Sequence, residues 1–163
     1  AGRLQDIGFA RWQEAWNLKV LGYIHMCQLY MPGMEAKRAG VICNIIGMAG
    51  RAPRAGYICG GTGNAALIAF TSALGGAAQE AGVRIFGINP AATATDRMIT
   101  QARVNAKLKF GDEDRWAETL TGLPYGRPIE AREIADLAAF LASPRGGYVN
   151  GTVVDVDGGG MFR

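Results

Sequence analysis

Apolar residues recur at steps of three and four along the first third of the chain. Trp16, Val20, Tyr23, Ile24, Cys27 and Met31 fall on one face between Trp12 and Met34 and predict an amphipathic helix. Pro32-Gly33 is expected to fray or end it. The pattern then changes. Val41-Ile42-Cys43-Asn44-Ile45-Ile46 is a short, almost continuous apolar run, rich in β-branched residues and bounded by Gly40 and Gly47, which predicts a buried parallel strand. A second helix is predicted from Tyr57 or Gly61 to Ala81, followed by Gly82 and a second buried strand, Val83–Asn89, that Pro90 stops. Residues 96–123 are more polar and read as one or two short helices separated by Gly111-Asp112. Ile134, Leu137, Ala138 and Leu141 mark a helix over 130–142. Thr152–Val156 reads as a last short strand, running into Asp157-Gly158-Gly159-Gly160.

Helix, strand, helix, strand, helix, strand is the alternation of an α/β layered fold: a parallel sheet with helices on both faces. The 163 residues suit one domain. Three strands nevertheless make a thin sheet, since a doubly wound nucleotide fold supplies about six and holds phosphate in its first βα turn. No strand-like run precedes Arg11, so the expectation is a single domain over 1–163 that lacks its N-terminal βα units.

Composition narrows the function classes. Glycine, 24 residues, has no collagen period and is expected in turns, tight helix starts and close backbone approaches. The formal charge of +3 comes from scattered basic residues, with Lys37-Arg38 the only adjacent pair, which does not suggest nucleic acid. Cys27, Cys43 and Cys59 are odd in number and form no C-x-x-C, which fits reduced thiols and a cytoplasmic setting. They are expected to be buried. With His25 the only histidine, no metal-ligand spacing exists, and its place in mid-helix suits a hydrogen-bonded structural role better than a catalytic base. No apolar run reaches the ~18 residues of a membrane span, the segment 67–81 being interrupted by Gly75, Gly76, Gln79 and Glu80. Gly61-Thr62-Gly63-Asn64-Ala65-Ala66 matches G-x-G-x-x-A. The residues before it, Arg54–Cys59, are too few and too polar for the strand that a phosphate loop needs, so it reads as a helix start that packs closely on a neighbour.

The order of segments carries more information than any one of them. Trp16-Asn17-Leu18-Lys19, Val41–Ile45, Gly63–Leu67, Gly82–Pro90, Gly126-Arg127-Pro128, Ile134-Ala135-Asp136, Ala139–Ser143 and Val156–Gly159 together resemble the short-chain dehydrogenase/reductase family over essentially the whole chain from Arg11 onward. The resemblance covers the later half to two-thirds of that family's domain. It implies a Rossmann-type doubly wound sheet, NAD or NADP as cofactor, a small hydroxyl or carbonyl substrate, and a homodimer or homotetramer. The helices at 12–34 and 57–81 and the segment after Tyr148 would form the interfaces. Ala1-Gly2 matches the end of the family's N-N-A-G strand.

Transferred position by position, the resemblance puts the family's active-site Asn at Asn17 and its carbonyl-polarising Ser at Gly47. The catalytic Tyr falls at Gly60 and the Lys four residues on at Asn64. The site is therefore divergent. Asn44, Asn64, Pro90, Thr93 and Thr95 are the expected cofactor contacts, the last three in a loop resembling the family's P-G-x-x-x-T, with Ala91 in place of Gly. Tyr57 precedes Gly60 by three residues and Asn64 by seven, so a helix already begun at 57 sets all three on one face, and a glycine at 60 leaves room for the Tyr57 ring. Tyr57 is thus the candidate for a relocated acid or substrate contact, the alternative being a helix-start tyrosine packed on the loop. Met98, Ile99, Phe110, Trp116 and Leu120 are expected either to line an apolar substrate pocket or to seat the 96–123 segment on the core. Two functions stay open: an NAD(P)-dependent oxidoreductase, and a catalytically silent Rossmann-type binding or assembly subunit.

Overall fold

The structure, a computed structural model, describes residues 2–162; Ala1 and Arg163 lie outside it. The first helix starts at Phe9, earlier than the periodicity indicates, and runs as α1 (Phe9–Trp16), a five-residue π turn (Asn17–Leu21) and α2 (Gly22–Lys37). It does not end at Pro32. That proline removes one helical N–H, but Met31 and Met34 on the same final turns pack against Ile42, Val83 and Ile85, and the chain leaves the helix only at Arg38, in left-handed conformation. Tertiary burial outweighs the local breaker.

Three strands follow the predicted pattern: β1 (Gly40–Ile45), β2 (Val83–Pro90) and β3 (Val153–Val156), parallel and in that spatial order. The register pairs Gly40 with Val83 and Ile45 with Ile88, and Gly87 with Val153. Side-chain alternation sends Ile42, Val83, Ile85 and Val153 to one face, under α2 and α3 (Ile58–Ala78). Val41, Cys43, Phe86, Ile88, Val154 and Val156 reach the other face, under α5 (Ala131–Ala142). Val83, Ile85, Phe86 and Ile88 are fully buried, each contributing about 1.5–3 kcal/mol relative to exposure. This is the α/β doubly wound arrangement expected from the sequence. Among the described residues β1 is an edge strand, and a groove of about 570 Å³ lined by Tyr23, Met26 and Tyr30 runs beside it.

With its 3-10 extension α3 spans Ile58–Ala81 and by length and composition is apolar enough to cross a membrane, which corrects the expectation drawn from the interruptions within 67–81. Its buried positions Leu67, Thr71, Gly75 and Ala78 repeat at three and four residues, and those apolar side chains pack toward the sheet. This is the pattern of a core helix. The 96–123 segment forms α4 (Asp96–Phe110) and a 3-10 stretch (Glu113–Leu120), divided at Gly111 as expected.

Candidate active site

Beyond Ile45 the chain leaves the sheet, and three successive carbonyls are each taken by a side chain. Tyr23 Oη donates to Ile45 O at 2.6 Å, Lys19 Nζ to Ile46 O at 2.9 Å and Asn64 Nδ2 to Gly47 O at 3.2 Å. Burial, and after it the nearby Cys43, push the Tyr23 phenol above its ordinary range, so it remains a neutral donor. The helix can reach two adjacent carbonyls because the π turn that begins at Asn17 widens it where Lys19 and Val20 turn inward. Val20 is buried and Lys19 half-buried.

Gly47 has φ +135, a region that L side chains rarely adopt, so a serine here would be strained. Its N–H donates to Asn89 Oδ1 at 3.2 Å. Asn89 Nδ2 donates to Asp155 Oδ1 at 2.7 Å, and Arg51 Nε lies 3.5 Å from Asp155 Oδ2. One polar chain thus ties the ends of β1, β2 and β3 to the loop after β1.

A cleft opens at these carboxyl ends, where doubly wound sheets place their ligands. One arm, about 390 Å³, is lined by Lys19, Gly47, Arg54, Tyr57, Asn64 and Pro90–Ala92. A second, about 340 Å³, has Arg11, Lys19, Tyr57, Gly60, Asn64 and Arg97 on its walls. Lys19, Tyr57 and Asn64 belong to both. Tyr57 is the N-cap residue of α3 and is 39% exposed. Its ring lies across the face of Gly60: a Cβ at position 60 would overlap the ring and come within 2.6 Å of the hydroxyl. The room that a glycine leaves is occupied by the Tyr57 phenol.

The other expected site residues divide. Asn64 and Pro90 join the cleft. Thr93 Oγ1 donates to Ala91 O at 3.1 Å, and Thr95 caps α4 by accepting from Met98 N–H at 3.2 Å. Both therefore shape the loop that leads from the cleft to Arg97. Asn17 is exposed and off the cleft walls, although its carbonyl accepts from Gly22 N–H inside the π turn. Asn44 lies elsewhere, buried and donating to Thr71 Oγ1 at 2.9 Å between β1 and α3. His25 is exposed on α2 rather than held within the core. Cys27 and Cys59 are buried as expected, but Cys43 is only half-buried; all three thiols are free. Gly61 and Gly63 sit inside α3, where a Cβ at 63 would meet Val20 at 3.2 Å, so these glycines serve close helix packing. Met98, Ile99, Phe110, Trp116 and Leu120 are absent from both cleft arms, and α4 packs chiefly on the 3-10 stretch after it. Among the described residues no cluster of ligating side chains could hold a metal.

Lys19, Arg97, Asn89 and Asp155 were not singled out from sequence. Only Lys19 left a signal, as an isolated cation two residues after Asn17 in an otherwise apolar stretch.

Comparison with known proteins gives these positions a context. A family profile described as Enoyl-(Acyl carrier protein) reductase matches residues 1–160. The chain is 31% identical over 148 residues to a 3-oxoacyl-acyl-carrier-protein reductase of Vibrio harveyi, covering 91% of this chain and 57% of the relative. It is 28% identical over 156 residues to a 7alpha-hydroxysteroid dehydrogenase of Escherichia coli, covering 96% and 58%. Among solved structures, L-sorbose reductase from Gluconobacter frateurii complexed with NADPH and L-sorbose superposes with a TM-score of 0.86 at 25% identity, covering 95% of this chain and 60% of that one. YwfH, an NADPH-dependent reductase involved in bacilysin biosynthesis, reaches 0.89 at 27% identity, covering 99% and 63%. The chain thus spans about three-fifths of the length of these relatives.

Proposed function

Because the chain belongs to the short-chain dehydrogenase/reductase family, we propose that this protein is an NAD- or NADP-dependent oxidoreductase interconverting a small hydroxyl and carbonyl compound, with Tyr57 as the proton donor and acceptor. The observation that carries the proposal is the Tyr57 phenol lying over Gly60, on a cleft that it shares with Lys19 and Asn64.

The residues present suit the nicotinamide end of such a cofactor. Asn64 gives its amide N–H to Gly47 O, and among the described residues its Oδ1 has no partner, leaving an acceptor for a ribose hydroxyl. Pro90, Ala91 and Ala92 supply a small apolar wall, supported by Thr93 and Thr95. A nicotinamide held by Asn64 and the Pro90–Ala92 wall would supply or accept the hydride. Tyr57 holds the proton that the substrate oxygen gains or loses. Lys19, fixed on Ile46 O, contributes a cation where Asn64 contributes none. Asn17 acts at a distance, as the first residue of the π turn that presents Lys19.

We also assign the protein to the cytoplasm as a homodimer or homotetramer. Exposed Leu18, Leu21, Met26 and Leu29 on the first helix, and Tyr148 fully exposed before β3, support the assembly. A monomer in sedimentation at micromolar concentration would refute it.

The functional test titrates NADH and NADPH into the full chain and then follows oxidation of the reduced nicotinamide with a panel of carbonyl compounds. Binding with turnover is expected, and Tyr57→Phe should lower kcat by about 10²–10⁴ with little change in KM. Cofactor binding without hydride transfer would favour the silent binding subunit instead. Turnover unchanged in Tyr57→Phe would remove Tyr57 from the chemistry.

A further inference from the structure

We propose that the substrate of this cleft is an anion, a hydroxyl or carbonyl compound bearing a carboxylate or phosphate, and that Lys19 and Arg97 hold its charged end. The inference rests on the oxidoreductase reading for the reaction, but not for the binding site itself.

The argument starts from the charges that face the arm of about 340 Å³. Arg11, Lys19 and Arg97 line it, with Glu14 as its one acidic wall residue. Glu14 is already engaged, in an ion pair with Arg11. Asp6, which with Arg11, Tyr57 and Arg97 lines the adjoining space, accepts from the backbone N–H of Arg3 at 2.9 Å. Among the described residues neither Lys19 nor Arg97 has a carboxylate within 4.0 Å. The only hydrogen-bond partner of Lys19 there is the Ile46 carbonyl. Half-buried Lys19 and exposed Arg97 therefore line one small space, neither with a carboxylate partner among the described residues.

Like charges so placed repel, and the repulsion grows as water is excluded. Burial, and after it the field of Arg97, hold the Lys19 ammonium below its ordinary range. A bound anion reverses both effects. Arg97 also stands in the first turn of α4, where a cation opposes the helix dipole, so helix stability does not account for it. The position does suit a ligand, because Thr95 caps the helix that carries Arg97 while Lys19, which lines the same arm, is fixed on Ile46 O. Tyr57 lines the same arm. An anion held by the two cations is thereby tethered beside the phenol that carries the proton. Trp16, Leu18 and Val20 supply the apolar part of the same wall, where the carbon skeleton of such an anion would lie.

The test is isothermal titration of inorganic phosphate and, separately, succinate into the full chain at low ionic strength. Saturable binding is expected. Lys19→Gln and Arg97→Gln should each weaken it by about tenfold or more, as expected for loss of a charge-assisted contact. Arg132→Gln, on the exposed face of α5, should leave it unchanged. Arg97 is exposed on α4, so its variant reports on binding even where Lys19→Gln unfolds the chain. Each titration is repeated with saturating NADH. Phosphate affinity that is indifferent to NADH supports a substrate site, whereas displacement by NADH would assign these cations to the cofactor and overturn the proposal. Absence of saturation, or equal binding by the Arg97→Gln variant, would overturn it too. None of these readouts needs turnover: anion binding without any oxidoreductase activity would defeat the functional reading alone. Turnover of neutral carbonyl compounds without anion binding would defeat this one alone.

Discussion

Replacing Asn89 by alanine tests whether the polar chain across the strand ends holds the cleft together. Asn89 is 0% exposed and makes two hydrogen bonds: it accepts from Gly47 N–H and donates to the Asp155 carboxylate. The first is neutral, at 3.2 Å, and contributes about 1 kcal/mol; the second, at 2.7 Å to a charged group, contributes about 1.5–3 kcal/mol. Gly47 is only half-buried and Asp155 keeps 26% of its side-chain surface exposed, so water recovers part of the loss. Asn89→Ala is therefore expected to destabilise the chain by about 2–3 kcal/mol. In urea, with a slope of about 1–3 kcal/mol per molar, the midpoint should fall by about 0.7–3 M at unchanged slope. A double-mutant cycle with Asp155→Ala isolates the charged bond, and its coupling should be about 1.5 kcal/mol or more. A coupling near zero, or an Asn89→Ala loss below about 0.5 kcal/mol, typical of a neutral surface change, would show that the chain of hydrogen bonds does not tie the strand ends together.

Gly75→Ala would normally stabilise a helix interior by about 0.5–1 kcal/mol. Here the new Cβ would lie 2.6 Å from the Gly151 backbone and 2.8 Å from Ile85 O, so thermal unfolding should show a net loss of about 1–3 kcal/mol. Burial pushes the Cys43 thiol from 9.0 up to about 11, so at pH 8 about 0.1% is thiolate, against about 10% for an unburied thiol on the same scale. Iodoacetamide labelling at that pH, read by mass spectrometry, should proceed about 100-fold more slowly than in a model peptide. Lys19 is held below 10.5 in the fold by burial and by Arg97, so just below pH 10.5 the unfolded chain binds more protons than the folded one. Wild-type stability should accordingly rise with pH through that window relative to Lys19→Met, and a flat difference in chemical denaturation would contradict the burial of its charge.

The layered α/β fold was legible because its signals are local. A six-residue apolar run, rich in β-branched residues and bounded by glycines, is too short for a core helix and suits a buried strand, and apolar residues at helical spacing present one face to cover it. The helix expected to begin at Tyr57 begins instead at Ile58, with Tyr57 as a non-helical N-cap, so the shared helix face does not apply, although Gly60 does leave the space that the Tyr57 ring takes. Local rules failed where a distant contact reversed them. Pro32 should stop a helix, but Met31 and Met34 bury their side chains against Ile42, Val83 and Ile85 and carry the helix to Lys37. Asn44 has the polarity of a cofactor ligand, but strand alternation turns it inward to Thr71. Lys19 and Arg97 are 78 residues apart in the chain, and Asn89 and Asp155 are 66 apart; nothing in the spacing of such pairs encodes their meeting. Periodicity and turn chemistry settle which segments become strands and helices. Only the parallel register, which aligns the ends of β1, β2 and β3 over one cleft, decides which charges and hydrogen-bonding groups act together there.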